Sequence, residues 1–397
     1  MSFTSGALRL KLSTLNKETN LLIVGAGPFG LAIAAQAAHD GIEHLIVGKR
    51  MEFWRQNMPK GMFLRSACDW HLDPLDVHTI EAFLQAQGKT PKDVEPLSLE
   101  FYLAYVDWFQ GQKNIQPLPV YIQKLERTRR NDDFVASTVD GGVIKAQRVV
   151  LAPGFKHFAH TPPDLKAKLP EHRYQHTCEF IDFTEARNKR YLIIGGRQSA
   201  FEWAALLVEA GASLVHVSHR HATPEFAVAE WTWINRLVDD MAENPNWFRR
   251  LSQTEKDAVS HRMWAEGRLK LEPWLAPRIN NDRVKLWPHT ELATCVQSDT
   301  GELAATLTNG KTLNVDHVIL ATGYKVNIAQ LPFLAAGNVL DRIETRNGFP
   351  VLDDHFETSV PGLFITSMPA AQDFGPFFGF TISVRTSAKL ICERLLS

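Results

Sequence analysis

Gly25-Ala26-Gly27-Pro28-Phe29-Gly30 sets three glycines at the spacing that cradles a pyrophosphate. The first permits a tight turn. The second lets the backbone approach phosphate oxygens, and the third lets the next helix pack close to the preceding strand. Free N–H groups and the positive end of that helix dipole then face the anion. About 170 residues on, Gly195-Gly196-Arg197-Gln198-Ser199-Ala200 repeats the pattern, with Arg197 in the second place and Ala200 in the third. A Cβ in the second place hinders close backbone approach, yet a guanidinium can bind phosphate directly. An acid that holds an adenosine ribose is expected about 20 residues after the first glycine. There the chain reads Val47-Gly48-Lys49-Arg50, with Glu52 late, so Lys49 and Arg50 are the candidates to replace it. After the second fingerprint comes Ser218-His219-Arg220-His221. With no acid to repel it, a 2′-phosphate suits Arg220.

Both fingerprints need a strand before and a helix after. Asn20-Leu21-Leu22-Ile23-Val24 is apolar, branched and too short for a helix, as a buried parallel strand requires. Residues 31–40 read as a helix stopped by Gly41, and His44-Leu45-Ile46-Val47 as the next strand. The same order returns at Tyr191-Leu192-Ile193-Ile194, then at 200–210 with Gly211, then at 213–217. A recurrence this long excludes a solenoid and implies two nucleotide-binding units of one architecture. Between them, residues 126–150 read as strand, turn, strand, with Asn131-Asp132-Asp133 and Asp140-Gly141-Gly142 as turn signals. Later, Asn309-Gly310 marks a turn and Val318-Ile319-Leu320 a strand. Residues 225–285 carry Trp231, Trp233, Trp247, Trp264 and Trp274 among charges and read as helical. Those rings either fill a core or line a substrate entrance.

Composition narrows the class. Of 397 residues, 45% are hydrophobic and 22% charged, which fits a globular chain of two or three domains. A net charge of −1 argues against a dedicated nucleic-acid binder. Cys68, Cys178, Cys295 and Cys392 stand singly, with no CxxC, which excludes a dithiol redox pair of that type and a zinc ribbon. A reducing cytoplasm fits this usage. The first 20 residues lack a signal-peptide core, and no apolar run is long enough to span a membrane.

Two such units resemble the two-dinucleotide-binding-domain flavoproteins. Within these the chain is similar to class B flavin monooxygenases, which include flavin-containing monooxygenases and amino-acid N-hydroxylases. The carrying residues are the two fingerprints, His176-Thr177-Cys178-Glu179-Phe180 before the second unit, Ala321-Thr322-Gly323-Tyr324, and Pro361-Gly362-Leu363-Phe364-Ile365-Thr366-Ser367. Two family features are absent: the G-D pair that ends the last segment, and the F-x-G of the monooxygenase run, where Pro170-Glu171-His172 stands. The resemblance implies an α/β fold of two Rossmann-like domains, with FAD at the first fingerprint and NADPH at the second. The NADPH domain would be residues 159–309, with a helical insertion at about 225–285, set into an FAD domain of 1–158 and 310–397. Cofactor-binding candidates are Gly25, Gly27, Pro28, Phe29, Gly30, Lys49, Arg50, Trp54, Gly195, Arg197, Gln198, Ser199, Ala200, Arg220, Thr322, Gly323 and Tyr324.

In the resembling layout the flavin ring lies beside residues 51–71, where Phe53, Met62, Arg65, Ser66 and Trp70 offer walls and donors. Phe374 and Gly375 precede a helix at 382–396, whose N-terminus would stabilise negative charge on a reduced flavin. The implied activity is that NADPH reduces FAD, O2 adds at flavin C4a, and the hydroperoxide oxygenates an N, S or carbonyl centre of a small substrate. Two alternatives stand beside it: an NAD(P)H-dependent flavin reductase passing electrons to another acceptor, and a non-catalytic FAD-binding scaffold. No metal site and no catalytic triad are expected. His71, His176 and His289 lack ligand spacing and read as structural, and Cys68 reads as a small buried hydrophobe. Expected partners are a small molecule and O2, with neither nucleic acid nor membrane; a homo-oligomer stays open.

Overall fold

Leu21, Leu22 and Ile23 are at most 1% exposed, the environment of a central parallel strand. A computed structural model describes residues 16–128 and 132–397, and in it this strand spans Asn16–Val24. The N-terminal arm up to residue 15 and the Asn131 turn signal lie outside the described residues. The strand pairs in parallel with His44–Val47 on one side and Val143–Leu151 on the other, with Leu22 opposite Leu45 and Val149. Helix Pro28–His39 links the first two strands; Gly27 is its N-cap and Pro28 its first residue, where a missing N–H costs nothing. The sheet continues antiparallel through Phe134–Thr138 and Ile122–Arg127. Leu363–Ile365 returns late in the chain to pair with Val143–Leu151. The C-terminal helix Val384–Leu396 packs on helix Pro28–His39.

The second unit is a parallel sheet in the order Val284–Pro288, Leu214–His219, Arg190–Ile194, His317–Leu320, Tyr174–His176. Helix Gln198–Glu209 follows its fingerprint. An antiparallel trio, Leu292–Gln297, Leu303–Leu307 and Thr312–Val315, precedes the return. The sequence division put that return at residue 310, but His317–Leu320 still belongs to the second sheet. Asp316 docks it there: its carboxylate accepts from the Arg190 N–H at 2.7 Å and from the Arg190 guanidinium at 3.0 Å. The chain therefore leaves the second unit after Leu320. The outgoing and returning segments touch at the crossover. Ala159 bridges Tyr324 antiparallel, the His160 N–H donates to the Gly323 carbonyl at 3.0 Å, and the Lys325 N–H donates to the Phe158 carbonyl at 2.8 Å.

The tryptophan-rich segment is helical as expected, in Thr232–Glu243, Trp247–Arg250 and Gln253–Arg268. Ser252 and Glu255 form a capping box at the start of the last. The segment folds away from the unit it interrupts. Ile234, Val238, Met241 and Met263 join the core of the first unit, with Trp231, Trp233 and Trp247 packed against it. The Thr386 hydroxyl on the C-terminal helix donates to the Val238 carbonyl at 3.0 Å. Trp274 packs on the second core, and Trp264 is largely exposed. Among the described residues, no helix is long and apolar enough to cross a membrane.

Candidate active site

The first fingerprint opens onto a cavity of about 690 Å³. Gly25 and Gly30 are consumed by the fold. Gly25 has φ +118°, and a Cβ on it would stand 2.3 Å from the Ala152 carbonyl oxygen. A Cβ on Gly30 would stand 1.8 Å from the Gly25 carbonyl oxygen, so helix and turn could not close together. Gly27 differs: a Cβ there meets no protein atom within 4 Å and would project into open space. Gly25, Gly27, Pro28 and Phe29 line the cavity, and Gly30 sits behind them. This is a cradle that the backbone keeps clear, and it fits a pyrophosphate.

The structure also brings to this cavity an acid that sequence spacing hid. Met51, in the left-handed region at φ +49°, turns the chain, and the short helix Glu52–Gln56 begins there. Glu52 thereby lines the cavity. It accepts from the Tyr121 hydroxyl and lies 3.3 Å from the Lys156 ammonium. Lys49 also lines the cavity, its ammonium 5.1 Å from the Tyr121 ring centre. Arg50 turns to solvent and pairs with Asp107 at 3.5 Å. Burial and Glu52 together raise the Tyr121 pKa.

Aromatic rings form much of the remaining wall. Trp54 lines the cavity and stacks on the buried Tyr102 at 4.8 Å. Phe53, Phe155 and Tyr324 form one cluster, at 5.2 to 6.2 Å between centres. Tyr324 is held by a relay from the family-like histidine run. His176 Nε2 lies 3.0 Å from the Gly323 carbonyl, which requires a proton on Nε2 and leaves Nδ1 to accept from the Cys178 thiol at 3.1 Å. The His176 ring in turn packs edge-on against Tyr324, 5.2 Å between centres. Burial pushes the Cys178 pKa up and the His176 pKa down, so both are neutral near pH 7. Thr322 spends its hydroxyl on the His160 carbonyl, and Gly323, at φ +78°, makes the turn.

Ser66 lines the cavity, but its neighbours do not. Arg65 is a clamp to the second unit, with Glu272 at 2.7 Å and the Gly267 carbonyl at 2.6 Å. Trp70 is 1% exposed and lines a second cavity. Phe374 is wholly buried, stacked on Phe356 at 3.8 Å. Gly375, at φ +108°, makes room for the Phe377 ring, which a Cβ would meet at 2.5 Å. The wall in this region comes instead from Gly379, Phe380 and Thr381, one turn later. His71, with its pKa lowered to about 4 by burial and by Arg385, lies 3.1 Å from the Arg385 guanidinium. Cys68 is buried, and its pKa is pushed up to about 12, chiefly by that burial.

In the second fingerprint, Gly195 at φ +140° repeats the role of Gly25, with the Ala321 carbonyl oxygen 2.4 Å from a notional Cβ. Arg197 is the helix N-cap, and its guanidinium lies 4.8 Å from the Trp264 ring centre. The Gln198 side chain accepts from the Glu272 N–H at 3.1 Å, and Ala200 is buried. Ser199 reaches the main cavity together with Trp203. Arg220 is exposed at the end of strand Leu214–His219. Of the cavity residues not named as site candidates, Thr177 and Cys178 belong to the family-like histidine run, whereas Glu52, Tyr121 and Phe380 follow strand ends and turns rather than motifs.

Glu202 is wholly buried beneath this junction, accepting from the Phe63 N–H at 3.3 Å and from Arg278 at 3.0 Å. Burial outweighs Arg278 and raises its pKa to about 7. The neutral acid is the form the fold favours, so its stabilising contribution is full below about pH 4.5 and is lost as pH rises towards 7. Glu202→Gln should flatten the pH dependence of Tm across that window; an unchanged slope would remove Glu202 as its source.

A family model described as pyridine nucleotide-disulphide oxidoreductase matches residues 22–244, and a second of the same description matches 257–366. An uncharacterized oxidoreductase CzcO-like of Geobacillus kaustophilus (strain HTA426) is 22% identical over 359 residues, covering 88% of this chain and 91% of that protein. Among solved structures, the ornithine N-hydroxylase of Kutzneria sp. 744 superposes with a TM-score of 0.79 at 14% identity, over 96% of this chain and 100% of that one. The ornithine hydroxylase of Pseudomonas aeruginosa gives 0.75 at 15%, over 95% and 98%. The bacillithiol disulfide reductase of Staphylococcus aureus gives 0.65 at 19%, over 96% and 98%. These likenesses establish the two-Rossmann architecture of the sequence reading. With more than half its length matched by one family model, and both fingerprints set at strand-to-helix turns, the chain belongs to the pyridine nucleotide-disulphide oxidoreductase family.

Proposed function

We propose that the chain is an NADPH-dependent FAD monooxygenase oxygenating an N, S or carbonyl centre of a small organic substrate. The observation that carries this is the make-up of the main cavity: a cleared phosphate cradle, an aromatic wall and a single cysteine. All four cysteines are free, and of them Cys178 alone lines the cavity. Reduction of a disulphide through the enzyme's own dithiol needs a second sulfur there. Structural likeness to hydroxylases over nearly the whole chain supports the same reading. Four free thiols also suit a cytoplasmic setting.

Bound FAD, reduced by NADPH, supplies the electrons and the activation of O2. The chain supplies the rest. Gly27 and the N-terminus of helix Pro28–His39 would hold the pyrophosphate. Glu52, held by the Tyr121 hydroxyl and the Lys156 ammonium, would accept from the ribose hydroxyls. Phe53, Phe155, Tyr324 and Phe380 keep water out of the cavity. Arg197 and Arg220 offer cations to the nicotinamide nucleotide. The decisive experiment supplies NADPH and ¹⁸O2 with a panel of amines, sulfides and ketones. A product carrying ¹⁸O is expected. NADPH consumed with only peroxide or a reduced acceptor formed would overturn the reading.

The nucleotide preference follows from the same cations. A charge-assisted hydrogen bond is worth ~1.5–3 kcal/mol, so NADPH should be favoured over NADH by roughly 10- to 150-fold. Arg220→Ala with Arg197→Ala should remove most of that through the NADPH constant. Equal use of both nucleotides by the unmodified enzyme would contradict it.

A further inference from the structure

The second fingerprint carries Arg197 where the first carries Gly27. Each is the N-cap of the helix that follows, and both have extended backbone, φ −114° and ψ −180° at Arg197 against φ −89° and ψ −171° at Gly27. The turns before them match as well. A Cβ on Gly195 would stand 2.4 Å from the Ala321 carbonyl oxygen, and one on Gly25 would stand 2.3 Å from that of Ala152. A Cβ on Gly27 would enter the open space of the cradle. The Arg197 side chain therefore leaves the backbone towards the matching space above the second fingerprint.

Trp264 meets that side chain, its ring centre 4.8 Å from the guanidinium. The Arg197 charge is also felt at the end of strand Leu214–His219. Burial first, and then neighbouring cations with Arg197 among them, lower the pKa values of His219 and His221. Two anchors bring Trp264 to this place. The Gly267 carbonyl, one turn further along helix Gln253–Arg268, accepts from Arg65 at 2.6 Å, and the Glu272 N–H donates to the side chain of Gln198, the residue after Arg197, at 3.1 Å. Trp264 itself is 43% exposed, although its neighbour Met263 is buried in the first core. An indole left this open beside a fingerprint, on a segment fastened at that fingerprint, adds little to the core.

We propose that Trp264 is a positioning residue of the nicotinamide-nucleotide site, its indole holding the Arg197 guanidinium over the second fingerprint as the partner of the pyrophosphate. The inference rests on the nucleotide reading of that fingerprint. A glycine in the second place lets the backbone reach the phosphates. An arginine Cβ hinders that approach, and a guanidinium makes up for it with charge-assisted N–H bonds of its own. An arginine ordered only on binding loses rotamer freedom at that moment and costs affinity, whereas one already held on an indole face has lost much of it beforehand. The tryptophan-rich segment thus supplies to the second unit a contact that its own turn lacks.

The test is calorimetric binding of NADP⁺ and of NAD⁺ to the oxidised holoenzyme. Trp264→Leu keeps apolar bulk and helix propensity and removes only the aromatic face. At so exposed a position it should leave FAD content and Tm unchanged. Both nucleotides should bind roughly 3- to 10-fold more weakly, and by the same factor, because both carry the pyrophosphate. Trp264→Phe should recover most of the affinity. In an Arg197→Ala background, Trp264→Leu should have no further effect. Affinity indifferent to Trp264→Leu would overturn the proposal. So would a loss that persists undiminished without Arg197, or one confined to NADP⁺, which would set Arg197 on the 2′-phosphate instead. A holoenzyme that binds neither nucleotide removes the nucleotide reading of the fingerprint, and the proposal with it, whereas tight binding insensitive to Trp264 removes the positioning role alone.

Discussion

Gly27→Val should yield a folded, colourless protein. The three glycines of the first fingerprint look equivalent in sequence but differ in the fold. A Cβ on Gly27 touches no protein atom within 4 Å, so the substitution leaves the chain's own packing intact and occupies the space a phosphate needs. FAD affinity should fall by on the order of 100-fold or more, since the chain would lose close backbone contacts worth a few kcal/mol. Gly30→Val is the contrast. Its Cβ would stand 1.8 Å from the Gly25 carbonyl oxygen, so the helix must shift and the protein should lose stability whether or not FAD is present. Absorbance at the flavin bands and thermal melting, read on both variants, separate the roles. A fully flavinated Gly27→Val protein would show that no phosphate lies there.

Phe374→Ala should cost stability and leave the flavin spectrum alone. The Phe374 ring stacks on Phe356 at 3.8 Å and an interplanar angle of 7°, with Phe378 at 5.5 Å, and all three are wholly buried. Phe356 is held at φ +68°, a conformation a bulky side chain adopts only when its surroundings impose it. Removing the stacked ring empties a rigid site and takes away part of what imposes that conformation. The expected loss is ~3–5 kcal/mol, a large share of a typical folding free energy. A Tm within a degree of the unmodified protein would refute this account of the cluster. A shifted flavin band would mean that Phe374 faces the cofactor after all.

Sequence reading succeeds at the centre of each unit. The strand Asn16–Val24, helix Pro28–His39 and their counterparts in the second unit were legible because burial on both faces leaves continuous branched apolar runs, and because glycines punctuate them. Helicity in the tryptophan-rich segment was legible too. Its docking on the first unit was not, since nothing local specifies a partner so distant in the chain. Glu52 was passed over because it comes late after the strand. The left-handed turn at Met51, which brings it back to the cavity, leaves no mark in residue type. Trp70 and Phe374 were set on the flavin wall by family layout. Layout gives the neighbourhood of a segment but not the direction of each side chain: Phe374 is packed on Phe356, and Trp70 lines the second cavity, not the main one.

The paired crossover segments have a mechanical consequence. A single strand joining two bodies bends in any direction. Two strands side by side, stitched by His160 to Gly323 and by Lys325 to Phe158, behave like a ribbon: stiff within its plane, pliant to torsion about its length. The second unit is thereby held to the first at two places, this ribbon and the tryptophan-rich helices buried in the first core, with Tyr324 seated at the stitch. The Arg65–Glu272 pair adds a hold away from that stitch, so the aromatic wall of Phe53, Phe155 and Tyr324 is braced from both units.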